Sequence, residues 1–442
     1  MNFQQWRDGR GQQLYRRAKA ILPGGAQLLG KRAEMYLPEL WPAYYERASG
    51  CEVWDLDGRR YLDFTMVGIG TSVLGYADPD VERAVVAAVR ASPMNTLNAP
   101  EEVELAERLL ELHPWADMVG YARTGGEIMA KAIRIARAAT GRDEIAFSGY
   151  HGWHDWYLSV NLSGEGLAGH LLPGLAPEGV PKGLAQTTHP FAYGDLDALG
   201  RIVDQRGKRL AAIVMEPVRE SGPPPGFLEG VRAVAKRIGA VLIFDEITSG
   251  FRVVTGGAHL SLGIEPDMAT FAKAMANGFA MAAVVGRRDV MEAVSRTFIS
   301  SAFFTERVGP AAALATVEKH RRLDAGSILI ATGRRVQEGW RRAAERAGLP
   351  LVVSGIPPLA SFSFADADAP ALTTLFIQEL LSRGFLASDR FYPTVRHEEA
   401  HVAAYLEAVD AAFATIARAR EHGNVHERLA GPVKHTGFAR LA

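Results

Sequence analysis

The chain has 442 residues, 48% hydrophobic and 22% charged, the proportions of a globular protein and not of a disordered or fibrous one. Lysine plus arginine number 49 against 50 aspartates and glutamates, a formal net charge of −1, so no basic field points to nucleic acid or to an anionic membrane surface. The lone cysteine, Cys51, excludes an intrachain disulfide and any metal site built from several thiolates; a reducing, cytoplasmic setting is expected.

The length suggests two or three domains, or one large domain with a smaller companion. The segment from Met1 to Leu22 lacks the apolar run of a secretory signal, and Gln12–Leu22 reads as an amphipathic first helix stopped at Pro23-Gly24-Gly25. No stretch approaches the ~20 uncharged apolar residues of a spanning helix. Gly50-Cys51-Glu52-Val53-Trp54-Asp55 and Arg60-Tyr61-Leu62-Asp63-Phe64 read as strands joined by a tight turn at Asp57-Gly58. Residues 79–113 are helical by pattern, with Val81, Ala84, Val85 and Ala88 on one stripe.

From 119 to about 290, short apolar runs alternate with helical stretches. Ile145–Phe147, Ala211–Met215, Ala240–Phe244 and Met268–Phe271 are candidate buried strands, and Glu127–Thr140 and Phe227–Ile238 candidate helices. Continuous apolar runs suit a mostly parallel sheet covered on both faces, so the fold class expected is α/β. Residues 164–190, with Pro173, Pro177 and Pro181, read as a long irregular loop. A long helical segment is expected from Gly309-Pro310 through Glu345, then strands near Leu351–Val353 and Ser361–Phe364, helices at 370–384 and 397–420, and a polar tail over 421–442.

No phosphate loop of the G-x-x-x-x-G-K-[ST] kind, no G-x-G-x-x-G after a strand, no G-x-S-x-G elbow and no H-E-x-x-H is present. His151 and His154 have a spacing that metals can use, but no third ligand stands at a recognisable distance, and no metal site is assigned. The informative stretch is 240–273. One strand delivers Asp245-Glu246 at its carboxyl end, and the next delivers Lys273; in open α/β sheets ligands bind at that edge. An ion pair at a strand end would give the same pattern. Pyridoxal phosphate chemistry, however, needs this pair: a lysine for a Schiff base and a carboxylate to keep the pyridine nitrogen protonated. It also needs backbone N–H groups at a helix start for the phosphate, which Thr124-Gly125-Gly126-Glu127 supplies, and an aromatic face, which Tyr150 in Tyr150-His151-Gly152 supplies.

In this order the segments resemble the class III, fold-type I pyridoxal phosphate enzymes, in the glutamate-1-semialdehyde aminomutase-like branch. The resemblance runs from Leu22-Pro23-Gly24-Gly25 to about residue 415. It is carried by Trp54–Gly58, Leu74–Pro79, Met215-Glu216-Pro217-Val218 and, most specifically, Asp245-Glu246-Ile247-Thr248-Ser249-Gly250-Phe251-Arg252. It implies a large cofactor domain with a mostly parallel sheet over 76–308 and a smaller α+β domain from both chain ends, 1–75 and 309–420, with 421–442 as a tail. It implies that Lys273 forms the Schiff base and then moves the substrate proton. Asp245 pairs with the ring nitrogen, Ile247 packs on one ring face and Tyr150 on the other, His151 is a further cofactor contact, and Gly125 and Gly126 with Thr124 hold the phosphate. Glu216 lines the pocket, or is only a strand-end carboxylate. Thr305 reaches the phosphate of a second subunit, with Ser300 and Ser301 as rivals for that role. Arg252 is left open between a structural and a carboxylate-guiding role.

The departures matter as much. The family's phosphate turn commonly reads Ser-Gly-Thr-Glu. The aminomutase's carboxylate-gripping arginine falls near Lys31, beside Arg32, and its Ser-Trp-Gly is here Gly68-Ile69-Gly70. Lysine lacks the bidentate grip of arginine. The expectation is therefore an aminotransferase acting on two small molecules: an amino-acid donor such as glutamate, and a bulkier, polar, uncharged carbonyl acceptor such as an oxo-sugar or oxo-cyclitol. Trp153, Trp156, Tyr157 and Tyr392 are candidate substrate-facing aromatics or plain packing residues. A homodimer with shared sites is expected, and neither a nucleic acid nor a membrane partner. An intramolecular aminomutase is the alternative, followed by racemisation or decarboxylation on the same residues, and by a catalytically inactive fold.

Overall fold

The computed structural model describes residues 3–163, 177–218 and 221–436; the first half of the expected 164–190 loop, with Pro173, and the last six residues lie outside them. Thirteen strands occur among the described residues: β1 (Tyr45–Ser49), β2 (Glu52–Asp55), β3 (Arg60–Met66), β4 (Met118–Ala122), β5 (Glu144–Ser148), β6 (Thr188–Pro190), β7 (Leu210–Met215), β8 (Val241–Asp245), β9 (Met268–Phe271), β10 (Ala282–Gly286), β11 (Leu351–Ser354), β12 (Ala360–Phe364) and β13 (Phe385–Tyr392). They form two sheets, one in each of two compact units: Met1–Asp78 with Ile328–Ala442, and Pro79–Ser327.

The larger unit has a seven-stranded sheet in the order β4-β10-β9-β8-β7-β5-β6. Strands β6, β5, β7, β8 and β9 pair in parallel, while β10 is antiparallel to both of its neighbours. Hence β4 runs the same way as β9, and the carboxyl ends of β4, β5, β7, β8 and β9 share one edge. Strands β5, β7, β8 and β9 are buried at every position, which is why they read as unbroken apolar runs. The helix Gly125–Thr140 packs Ile128, Met129, Ala132, Ile133, Ile135 and Ala136 into the core over this sheet.

The smaller unit has a six-stranded sheet, β1-β2-β3-β13-β12-β11, antiparallel except for β3 beside β13. Its core is aromatic: Phe64 stacks on Tyr405 at 4.1 Å and on Phe391 at 5.1 Å. The helices Ala369–Ser382 and Glu399–Glu421 cover it. The tail follows the same unit, with Ala430 N–H on Gln378, Lys434 N–H on Thr374 and His435 N–H on the Glu34 carbonyl.

Three expectations change. The helical stretch 79–113 is two helices, Pro79–Arg90 and Pro100–Leu112; Ser92 is left-handed (φ 93°) and Pro93 has no N–H to continue the first. The helix expected through Glu345 breaks at Asp324 (φ 47°) into Val308–Leu323 and Ala325–Ala347. The unit boundary falls after Ser327 and not at 308/309, because His320, on the first of these helices, is bonded into the larger unit at the Phe251 carbonyl and Thr255.

Candidate active site

Each aligned strand of the larger unit carries a polar group to the shared edge. Asp245 ends β8 with only 3% of its surface exposed. Its Oδ1 accepts the Ile247 N–H at 3.0 Å, and its Oδ2 lies 2.8 Å from His151 Nδ1, beyond β5. His151 Nε2 faces the Ser148 carbonyl at 3.2 Å. A carbonyl only accepts, so Nε2 donates, and one further hydrogen must sit between Nδ1 and the Asp245 carboxyl. The aspartate is thus braced from two sides and keeps a proton partner.

Lys273 follows β9 by one residue and has a left-handed backbone, φ 41°. Such a conformation costs a non-glycine residue roughly 1 kcal/mol or more, and persists only where the surroundings impose it. Its Nζ donates to Thr248 Oγ1 at 2.9 Å. Thr248 sits in the turn after Asp245, and that turn is anchored by Glu246. Buried Glu246 accepts the backbone and ring N–H groups of His259 at 2.8 and 2.9 Å and the Ser249 hydroxyl. Burial alone would push the Glu246 carboxyl up, but these hydrogen bonds hold it below the usual carboxylate range. His259 Nε2 in turn accepts from Trp115 Nε1 at 3.1 Å.

After β4 the chain enters Thr124–Glu127. A reciprocal capping box closes this turn, the Thr124 hydroxyl accepting from the Glu127 N–H and the Glu127 carboxylate accepting from the Thr124 N–H. The first-turn N–H groups of Gly125 and Gly126 have no intrahelical acceptor by position. Their lack of side chains is used: a Cβ on Gly125 would stand 3.2 Å from Ile247 Cδ1, and one on Gly126 2.7 Å from the His154 ring and 3.6 Å from Trp153 Nε1. The loop after β5 passes close by, a Cβ on Gly152 reaching 3.4 Å from Gly126 Cα. Contacts therefore run unbroken from Lys273 through Thr248, Ile247, Asp245, His151 and Gly152 to the glycine turn.

Glu216, after β7, is 4% exposed and accepts the Tyr150 N–H at 3.1 Å. A Cβ on Gly149 would be 2.6 Å from its carboxylate, so Glu216 holds the loop that carries Tyr150 and His151. The Tyr150 ring is 36% exposed and stands edge-on to Tyr157. Trp153 is 70% exposed beside the glycine turn. Thr305 is exposed, and within its own chain its hydroxyl donates to the Ala302 carbonyl at 3.1 Å and meets Met94 Sδ at 3.7 Å. Lys31, Arg32 and Tyr392 belong to the smaller unit. There Lys31 is exposed, and the Arg32 guanidinium lies on Gly24, within 2.2 Å of where a Cβ would be. His151 and His154 turn to different partners, Asp245 and the Gly126 face, which is no shared metal geometry.

A family model for class-III aminotransferases matches residues 37–412. The chain belongs to that family. It is 31% identical to 3-aminobutyryl-CoA aminotransferase of Cloacimonas acidaminovorans, covering 92% of this chain and 97% of that one. It is 36% identical to 2'-deamino-2'-hydroxyneamine transaminase of Streptomyces kanamyceticus (74% and 79%), and 33% identical to glutamate-1-semialdehyde 2,1-aminomutase of Syntrophobacter fumaroxidans (91% and 97%). Among solved structures, the pyridoxal phosphate form of FumI from Sphingopyxis sp. MTA144 superimposes with a TM-score of 0.85 at 26% identity, covering 93% of this chain and 97% of that one. The class-III aminotransferase described here is therefore a fold-type I enzyme whose cofactor is pyridoxal phosphate.

The residues present fit that cofactor. The glycine turn is a cradle that a Cβ would fill, its N–H groups suit a phosphate, the braced carboxyl suits a pyridine nitrogen, and the Lys273 amine is held by a neutral hydroxyl. Thr248, His154 and Glu127 also contribute to the site. Thr124-x-x-Glu127 is a capping-box pattern that the sequence did contain; Thr248 and His154 depend on contacts that only the folded chain makes.

Proposed function

We propose that the enzyme transfers an amino group between two substrates, from an amino-acid donor such as glutamate to an uncharged, polar aldehyde or ketone of the oxo-sugar or oxo-cyclitol class. Bound pyridoxal phosphate supplies an electron-withdrawing ring that stabilises negative charge on the substrate carbon. Lys273 takes and returns the proton of that carbon through its amine, which Thr248 steers at 2.9 Å. Asp245, with the hydrogen it shares with His151, would hold the proton on the ring nitrogen. Ile247 and Tyr150 would flank its ring, and Gly125 and Gly126 would hold its phosphate, with Thr124 capping the helix behind them.

One observation carries the choice of acceptor. In the turn where an aminomutase grips its carboxylate, the Arg32 guanidinium is packed on Gly24 and the other cation, Lys31, is an exposed ammonium; no bidentate grip is offered. Ile69 in Gly68-Ile69-Gly70 has its Cδ1 4.0 Å from a Cβ placed on Gly30, a small aliphatic wall in place of a large aromatic one. The Streptomyces kanamyceticus relative, a 2'-deamino-2'-hydroxyneamine transaminase, supports the same class. A homodimer completes the reading, with Thr305 reaching the phosphate of a second copy. Its support is the exposed apolar surface around that residue: Met94 touches Thr305, Arg307 N–H binds the Pro93 carbonyl, and Leu97 and Phe303 are 79% and 66% exposed.

The test is an acceptor panel with glutamate as donor. Turnover of oxo-sugars or oxo-cyclitols at least about tenfold above that of simple oxo acids is expected, a gap of ~1.4 kcal/mol. Turnover confined to oxo acids, or conversion of glutamate-1-semialdehyde with no second substrate, would sink the assignment.

A further inference from the structure

Arg123 stands directly before the glycine turn, and its backbone and side chain have different tasks. Its N–H donates to Glu127 Oε2 at 3.1 Å, so its backbone is part of the capped turn. Its guanidinium, with the side chain only 10% exposed, leaves the turn altogether. Nη2 donates to the Phe304 carbonyl at 3.2 Å and to the Glu306 carbonyl at 2.6 Å, the two carbonyls that bracket Thr305. Nη1 donates to the Ala122 carbonyl at 3.3 Å and to Met281 Sδ at 3.0 Å.

The far side of the bracket is equally fixed. Glu306, 3.9 Å from Arg123 Nε, accepts the Val308 and Gly309 N–H groups at 2.6 and 3.1 Å, which ties the segment to the start of the helix Val308–Leu323. A second cation acts from the glycine-turn helix: Lys131 Nζ lies 5.2 Å from the Phe304 ring centroid and donates to the Tyr121 carbonyl at 2.9 Å. Burial lowers both cations from their ordinary pKa; burying charge is costly unless it is hydrogen-bonded, so the groups they hold are held firmly. The residue so bracketed is itself exposed, and its hydroxyl meets nothing of its own glycine turn among the described contacts.

We propose that Arg123 is a positioning residue for pyridoxal phosphate: it fixes Thr305 at a set distance from the chain's own glycine turn, so that the phosphate site of one copy sets the placement of the hydroxyl offered to the other. This rests on the reading of Thr305 as a contributor to a second copy's phosphate site. Arg123 touches no reacting atom; it acts through the backbone on either side of Thr305.

The experiment is a double-mutant cycle read as cofactor affinity. Apo-protein of wild type, Arg123→Met, Thr305→Ala and the double variant is titrated with pyridoxal phosphate, with sedimentation and the apo-protein melting temperature recorded for each. Arg123→Met and Thr305→Ala should each weaken binding roughly tenfold or more, the loss expected for charge-assisted hydrogen bonds, and the double variant should be no weaker than the worse single one. Should Arg123→Met fail to fold, Lys131→Met, which releases Phe304 and the Tyr121 carbonyl, takes its place with the same expectations. If Thr305→Ala weakens binding and Arg123→Met does not, or if the two effects multiply, the positioning role is overturned while the Thr305 reading survives. If Thr305→Ala changes nothing, the reading beneath it fails. A fall in melting temperature with unchanged affinity makes Arg123 a fold residue only, and also overturns it.

Discussion

Asp245 and His151 meet at 2.8 Å with one hydrogen between them, and His151 is pinned on its other side by the Ser148 carbonyl. The pair matters because a lone buried carboxylate would resist charge, whereas one with a proton-bearing neighbour can answer a ring nitrogen. Replacing His151 by Asn keeps a donor toward Asp245 but removes the shared, mobile hydrogen. The expected result is a folded protein whose rate of cofactor conversion by donor falls about tenfold to a hundredfold, or ~1.4–2.7 kcal/mol. Stopped-flow absorbance of the bound cofactor measures it, and an unchanged rate would remove His151 from the proton path. Lys273 adds a second residue-scale feature, a left-handed backbone held in place by its neighbours. That strain aims the amine at Thr248.

Five strand ends and one helix start build the site, and the helix start makes a prediction with opposite signs. Gly125 lies in the first turn, where Ala is a better helix former by up to about 1 kcal/mol, yet its Cβ would come within 3.2 Å of Ile247. Gly125→Ala should leave the apo-protein's melting temperature unchanged or raised, and weaken pyridoxal phosphate binding about tenfold, because Ile247 would be pushed into the space proposed for the ring. Calorimetry of the apo-protein and a cofactor titration together check it; equal affinity would mean that Ile247 has room to yield.

The same elements explain what could be read beforehand. Strands β5, β7, β8 and β9 were legible because they are buried on both faces and so appear as plain apolar runs. The glycine turn was legible because glycines before an amphipathic helix have few other uses. Strand β13 was not legible: it runs through Ser388, Asp389 and Arg390, and its place beside β3 is a pairing between distant segments. Strands β4 and β10 are short, with small residues and an antiparallel reversal that no local pattern encodes. The break at Ser92-Pro93 carried its signal in the proline and was overridden by the apolar stripe on either side.

At the scale of the whole molecule the chain divides into two units, one of which carries every group in the contact chain from Lys273 to the glycine turn. Its stability has a built-in acid limit. Burial lowers His113 and His320 from 6.5 to about 4, so both stay neutral in the folded state at pH values where the unfolded chain takes up protons. Stability from these groups is complete above pH 6.5 and is lost as pH falls toward 4, at up to about 1.4 kcal/mol per pH unit for each. Melting temperature should be level from pH 8 to about 7 and fall steadily below 6.5, and His320→Asn should flatten part of the slope. A level profile down to pH 5 would contradict the neutral burial of these rings.

Lys273 and Asp245 are proposed to work as one site on an amino donor. The most direct measurement is a single half-reaction. Holoenzyme is mixed with excess glutamate and no acceptor, and the oxo acid released is counted while the visible cofactor band is followed. The expected result is about one equivalent of oxo acid per chain, with loss of the band at the same rate, and neither event in Lys273→Ala. Release of no oxo acid from any amino-acid donor, or release by Lys273→Ala at the wild-type rate, would contradict it.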